Sequence, residues 1–146
     1  MKNDKLLLTS FIGIVSTIPA EIISHLFVYF GFGKYSIYQL ASLLITFNRP
    51  NFIIGLIVDF IIGGVIANLI CYSLEKLGSE YLIIKAIMAS FLSWLVCELA
   101  FTFSIEGRYF DLRPIGDYYN NILCAGIFGI TLGLLFKKFL FRKSIS

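Results

Sequence analysis

The sequence predicts an all-α fold: a four-transmembrane-helix bundle with a short interfacial or re-entrant helix between the first and second spans. Two observations carry this expectation. The first is composition. Of 146 residues, 58% are hydrophobic and only 14% charged, and the mean hydropathy is +0.88. An ordinary soluble domain carries about 25% charge, so water is not the solvent for most of this chain. The second is punctuation, because four apolar runs of roughly the 20 residues that a spanning helix needs are separated by charges and turn signals. The same balance excludes a disordered chain, a disulfide-stapled secreted module and a soluble enzyme of ordinary design. A net charge of +3 without a basic face also argues against a nucleic-acid partner.

The expected spans cover residues 6–30, 52–72, 82–103 and 118–136 of one membrane domain, 1–146. Lys2 and Lys5 ahead of the first run imitate a signal peptide, but cleavage after Ala20 would put bulky Ile18 where a small residue is wanted. The apolar run also continues past Glu21, so a retained helix is expected. The first span ends at Gly31-Phe32-Gly33-Lys34, and Asn48-Arg49-Pro50-Asn51 precedes the second. Glu75 to Glu80 separates the second from the third. The loop before the fourth carries Glu106, Arg108, Asp111, Arg113, Pro114 and Asp117, and the paired charges Arg108, Asp111, Arg113 and Asp117 are expected to order a short solvated turn.

Orientation follows the distribution of Lys and Arg. With the N-terminus cytoplasmic, eight fall inside (Lys2, Lys5, Lys76, Lys85, Lys137, Lys138, Arg142, Lys143) and four outside (Lys34, Arg49, Arg108, Arg113). Both termini are therefore expected in the cytoplasm, with the basic C-terminal run along the anionic inner leaflet. Residues 35–47 place Ile37, Leu40, Leu44 and Phe47 at helical spacing, opposite Tyr35, Gln39, Ser42 and Thr46. That stretch is too short to span, and it reads best as a cover over the bundle. Cys71, Cys97 and Cys124 are odd in number and form no C-x-x-C pair, so neither a disulfide framework nor a metal site is indicated.

In lipid, helices associate through small residues and interhelical hydrogen bonds. Small residues recur at four-residue spacing on three spans: Gly63, Ala67 and Cys71, then Ala89, Ser93 and Cys97, then Ala125, Gly129 and Gly133. The first span instead carries the stripe Gly13, Thr17, Glu21 and His25, with Ser10 and Ser24 beside it and Pro19 loosening its hydrogen bonding.

The ionisable residues inside the spans are the candidates for chemistry: Glu21 and His25, Asp59, and Glu98. An ionised Asp at a helix centre costs about 2.5–3.5 kcal/mol on insertion scales, so three such acids need pairing, protonation or water. With both termini inside, all of them fall in the outer half of the bilayer, with Asn120 and Asn121 at or just above that level. This describes a polar pocket open to the outside. Glu21 and His25, four apart, can share a proton, and carboxylates with amide carbonyls can hold a cation. No His-Glu-x-x-His or nucleophile-elbow motif supports an enzyme, and no cofactor is implied. Trp94, Tyr109, Tyr118 and Tyr119 read as packing and interface anchors.

The layout resembles small four-span integral membrane proteins of spore-forming and related bacteria. The resemblance rests on Thr17-Ile18-Pro19-Ala20-Glu21, the transition from Asn48 to Asp59, Trp94, and Asp117 leading into the glycine-rich fourth span. It implies a multi-pass protein of the plasma membrane and no particular activity. Three functions are compatible with the residues. The first is a small structural or accessory subunit whose partners are the bilayer, a second copy or a larger membrane complex. The second is a homo-oligomeric proton- or cation-coupled transporter using Glu21, His25 and Asp59, and the third a membrane enzyme acting on lipid.

Overall fold

A computed structural model describes residues 2–46, 49–78, 80–104, 106, 108 and 113–141, without the side chains of Lys2 and Asn3. Phe47, Asn48, Asp111, Tyr109, Arg142 and Lys143 lie outside the described residues. The fold is all-helical, in the order α1 (Lys2–Tyr29), α2 (Ile37–Thr46), α3 (Phe52–Leu77), α4 (Leu82–Ser104) and α5 (Ile115–Phe139). Four of these, all but α2, are long and apolar enough to cross a membrane. The chain is a multi-pass membrane protein. Large apolar side chains such as Leu6, Phe11, Ile53, Leu69 and Leu92 are more than half exposed on its flanks, which suits a surface solvated by hydrocarbon.

Helix ends follow local chemistry rather than hydropathy. Asn51 caps α3, its Oδ1 accepting from the backbone N–H of Ile53 at 2.9 Å and of Ile54 at 3.1 Å. At the other end α3 continues past the apolar run to Leu77, where Lys85 Nζ donates to the carbonyls of Leu77 and Gly78 at 3.0 and 3.2 Å. Gly78 then turns the chain at φ 86°. Behind Pro114 at the cap position, α5 starts at Ile115, three residues ahead of the expected span, bringing Asp117 inside the helix.

The spans form an open arc in the order α3–α1–α5–α4, in which α3 and α4 touch only slightly, and α2 packs mainly on α3. At the end bearing the chain termini the arc is closed by a dry core of Ile12, Ile70, Leu74, Leu82, Leu132 and Phe136. Close approach replaces hydrophobic drive inside lipid. On α1 and α3, Gly13 faces Gly63 and Ala67, and a Cβ on Gly63 would lie 2.6 Å from Thr17 Cγ2. On α4 and α5, a Cβ on Gly129 would lie 2.8 Å from Ile87 Cα, and one on Gly133 3.0 Å from Ile83 Cα.

The α4 side of that seam differs from the Ala89, Ser93, Cys97 stripe. It is built by Ile83, Ala86, Ile87 and Ser90, while Ala89 packs partly buried against the core and Cys97 is exposed. Small residues occupy a wide arc of α4, so spacing alone leaves the choice of edge open. Ser90 decides it, because its hydroxyl donates to the Ala125 carbonyl at 2.6 Å across the interface.

The short helix does not lie flat over the bundle. Ser36 and Gln39 form a capping box, with Gln39 Oε1 accepting from Ser36 N at 3.0 Å and Ser36 Oγ from Gln39 N at 3.4 Å. The first α2 amides then meet α1, Ile37 N donating to Ser24 Oγ and Tyr38 N to Glu21 Oε2, each at 3.0 Å. Those partners lie five and eight residues below the end of α1, about 8–12 Å at 1.5 Å per residue. The helix therefore starts within the bundle and climbs out of it. It crosses α3 at Gly55, where any Cβ would collide with the Tyr38 carbonyl.

Candidate intramembrane site

The acidic and amide residues of the spans converge at one level. Glu21 lies eight residues from the end of α1, Asp59 seven from the start of α3, Glu98 six from the end of α4 and Asn121 six from the start of α5. All are thus about 9–12 Å from the α2 end of the bundle. Their surroundings differ.

Glu21 is 5% exposed and serves the fold. Its Oε2 takes the Tyr38 N–H at the positive end of α2, where a carboxylate is favoured. Its Oε1 lies 3.8 Å from Nδ1 of His25, whose side chain is 63% exposed. His25 is thus a peripheral neighbour of Glu21 and rests edge-on against Phe52.

Glu98 belongs to a knot that the spacing of the sequence did not announce. Arg113 is only 6% exposed and its guanidinium pairs with both Glu98 and Glu106, the latter at 3.0 Å. The cation sits between the rings of Phe101 and Tyr118, 4.9 and 4.6 Å from their centroids. Glu106 also accepts from Arg113 N at 2.9 Å and from the Tyr118 hydroxyl at 3.2 Å. Burial alone would raise the Glu106 carboxyl, but these hydrogen bonds and the Arg113 charge hold it below its ordinary value. Arg113 is pushed upward by the same two carboxylates against the opposing effect of burial.

The expectation of a short solvated turn therefore fails for two of its residues. Arg113 enters the bundle because two buried carboxylates need one cation. Asp117 is fully buried, its Oδ1 accepting from Lys34 N at 2.5 Å.

The two asparagines divide their work. Asn120 ties α5 to α1, its Nδ2 donating to Ser24 Oγ at 2.9 Å. Asn121, 4% exposed, offers Nδ2 to Glu98 Oε2 at 3.5 Å, and its Oδ1 has no partner.

Asp59 stands apart. Among the described residues it has no hydrogen-bond or ion-pair partner, and it lines a cavity of about 340 Å³ bounded by all five helices. The wall carries Glu98, Arg113, Asn121 and Trp94 along with Leu40, Ile62, Ile66 and Phe128. Trp94 Nε1 and Arg113 Nε, like Asn121 Oδ1, are buried without partners. Ser93 and Cys97 also face this space, which accounts for two of the three residues of the α4 stripe. Because α3 and α4 barely touch, the cavity lies behind the open side of the arc.

No family model, curated protein or solved structure matches the chain. Among the described residues, no group of three or more His, Cys, Asp or Glu side chains is arranged to hold a metal ion. Of the residues singled out from sequence, Asp59, Glu98, Asn121, Gly63 and Ser93 share the cavity wall, whereas Glu21, His25 and Asn120 do not. Arg113 and Trp94 were missed as site residues. The signal for Arg113 was present as a surplus of carboxylates over cations at one depth, but the partner lay beyond a loop.

Proposed function

We propose that the protein is a small accessory subunit of the plasma membrane of a spore-forming or related bacterium, with both termini in the cytoplasm. Its working part is a ligand-receiving polar pocket in the outer half of the bilayer. The observation that carries this reading is Asp59, a carboxylate without a partner on the wall of a cavity that the chain leaves unfilled. Leaving an acid unpaired in a bundle costs stability, and such costs are characteristic of binding sites.

Binding is favoured over conduction by the rest of the bundle. The dry core of Ile12, Ile70, Leu74, Leu132 and Phe136 lies between the pocket and the opposite end. A single chain therefore offers a pocket with one polar end, and a transport path would have to run between copies.

The test compares thermal unfolding of two variants in nanodiscs. Asp59→Asn should unfold at the same temperature as the wild type or above it, since it removes an unpaired acid. Glu21→Gln should unfold at a lower temperature, since it weakens the anchor of α2. A loss of stability in Asp59→Asn equal to that in Glu21→Gln would make Asp59 a structural residue and overturn the reading.

A further inference from the structure

Resting on that reading of the pocket, we propose that its ligand is a lipophilic organic ammonium, an amine cation joined to an apolar body, entering sideways between α3 and α4. Four observations lead to this class. The first is charge. Arg113, the cation on the wall, is already paired with Glu98 and, off the wall, with Glu106, while Asp59 has no cation, so acidic side chains outnumber cationic ones there. Lys34, Arg49 and Arg108, the other described Lys and Arg side chains at this end, are not part of the wall, and Lys34 has its ammonium over the Tyr35 ring at 5.3 Å.

The second is hydrogen bonding. Asp59 and the unpartnered Oδ1 of buried Asn121 are acceptors at the same level, and an ammonium N–H can serve both kinds. The third is the remaining wall. Leu40, Ile62, Ile66 and Phe128 suit an apolar body, and Trp94 supplies the indole that best attracts a cation. A hydrated inorganic ion would find few ligands there. The fourth is access and size. The slight contact between α3 and α4 leaves that side of the pocket without a helix–helix seal, so the apolar body of an interfacial amphiphile can enter from the bilayer while its ammonium stays toward the polar end. A volume of about 340 Å³ holds a small ligand.

Trp94 is the only tryptophan of the chain, so its emission reports occupancy without a label. The protein in phosphatidylcholine nanodiscs is titrated with 4-phenylbutylammonium and, separately, with its neutral isostere pentylbenzene. The expected result is a saturable change in emission with the cation, and binding weaker by about tenfold or more for pentylbenzene. Asp59→Asn should weaken the cation by a similar factor, and Asp59→Glu should restore most of it. Equal binding of both probes, or an unchanged affinity in Asp59→Asn, would overturn the proposal. So would silence of Trp94 toward both. The unfolding comparison above then separates the two failures. If Asp59→Asn is still as stable as the wild type or more so, the pocket stands and only the ligand class falls.

Discussion

Glu98 and Asp59 lie at nearly the same depth on α4 and α3, and both line one cavity, yet the bundle treats them in opposite ways. Glu98 is neutralised by a buried arginine that is itself held by Glu106 and two aromatic rings. Asp59 is given nothing. The same contrast separates Glu21, seated on the amides of α2, from Asp59. The chain therefore has the means to engage a carboxylate at this level: Glu21 and Glu98 each have one or more partnered oxygens, although Glu21 Oε1 is buried without one, whereas neither oxygen of Asp59 has a partner among the described residues. A half-buried acid with no partner, on a cavity wall beside acids that are engaged, reads as a site and not as an oversight of packing.

The contrast is broken most severely by Arg113→Met. It leaves Glu98 and Glu106 buried without a cation, and removing one partner of such a pair costs about 3–5 kcal/mol. The expected outcome is a large fall in unfolding temperature or failure to recover folded protein from detergent. A melt like that of the wild type would show the knot to be ornamental. Ser24→Ala comes next. The Ser24 hydroxyl accepts from Ile37 N and from Asn120 Nδ2, so its loss strands two donors. That change should cost about 1–3 kcal/mol, read in chemical unfolding.

A smaller effect comes from pH. The folded protein holds Glu106 below its ordinary value of 4.5, so its contribution is complete above that pH and is lost as pH falls through the lower folded value. Stability should decline on acidification below about pH 4.5 in the wild type. Glu106→Gln should show a flatter profile in the same melts.

Much of this arrangement was legible before the structure. Hydropathy and charge spacing gave the four spans, and residue counts along them brought Glu21, Asp59, Glu98 and Asn121 to one depth. The face that each side chain presents was harder to read. Small residues spread over a wide arc of α4, and only the Ser90 bond to Ala125 chooses the packed edge. The burial of Arg113 and Asp117 was hidden because a charged loop looks the same in sequence whether it is solvated or folded inward. The dip of α2 was not legible, because the partners that draw its first amides into the bundle, Ser24 and Glu21, lie on another element.

The central claim is that one intramembrane acid is left free and reachable while its neighbours are engaged. It is tested most directly by treating the protein in nanodiscs with a lipid-soluble carbodiimide, which adds covalently to carboxyl groups it can reach from the hydrocarbon, and locating the adduct by mass spectrometry. The account predicts modification at Asp59, with Glu21, Glu98 and Glu106 spared. Adducts on Glu98 or Glu21 at the level of Asp59, or an Asp59 that stays unmodified while they react, would contradict it.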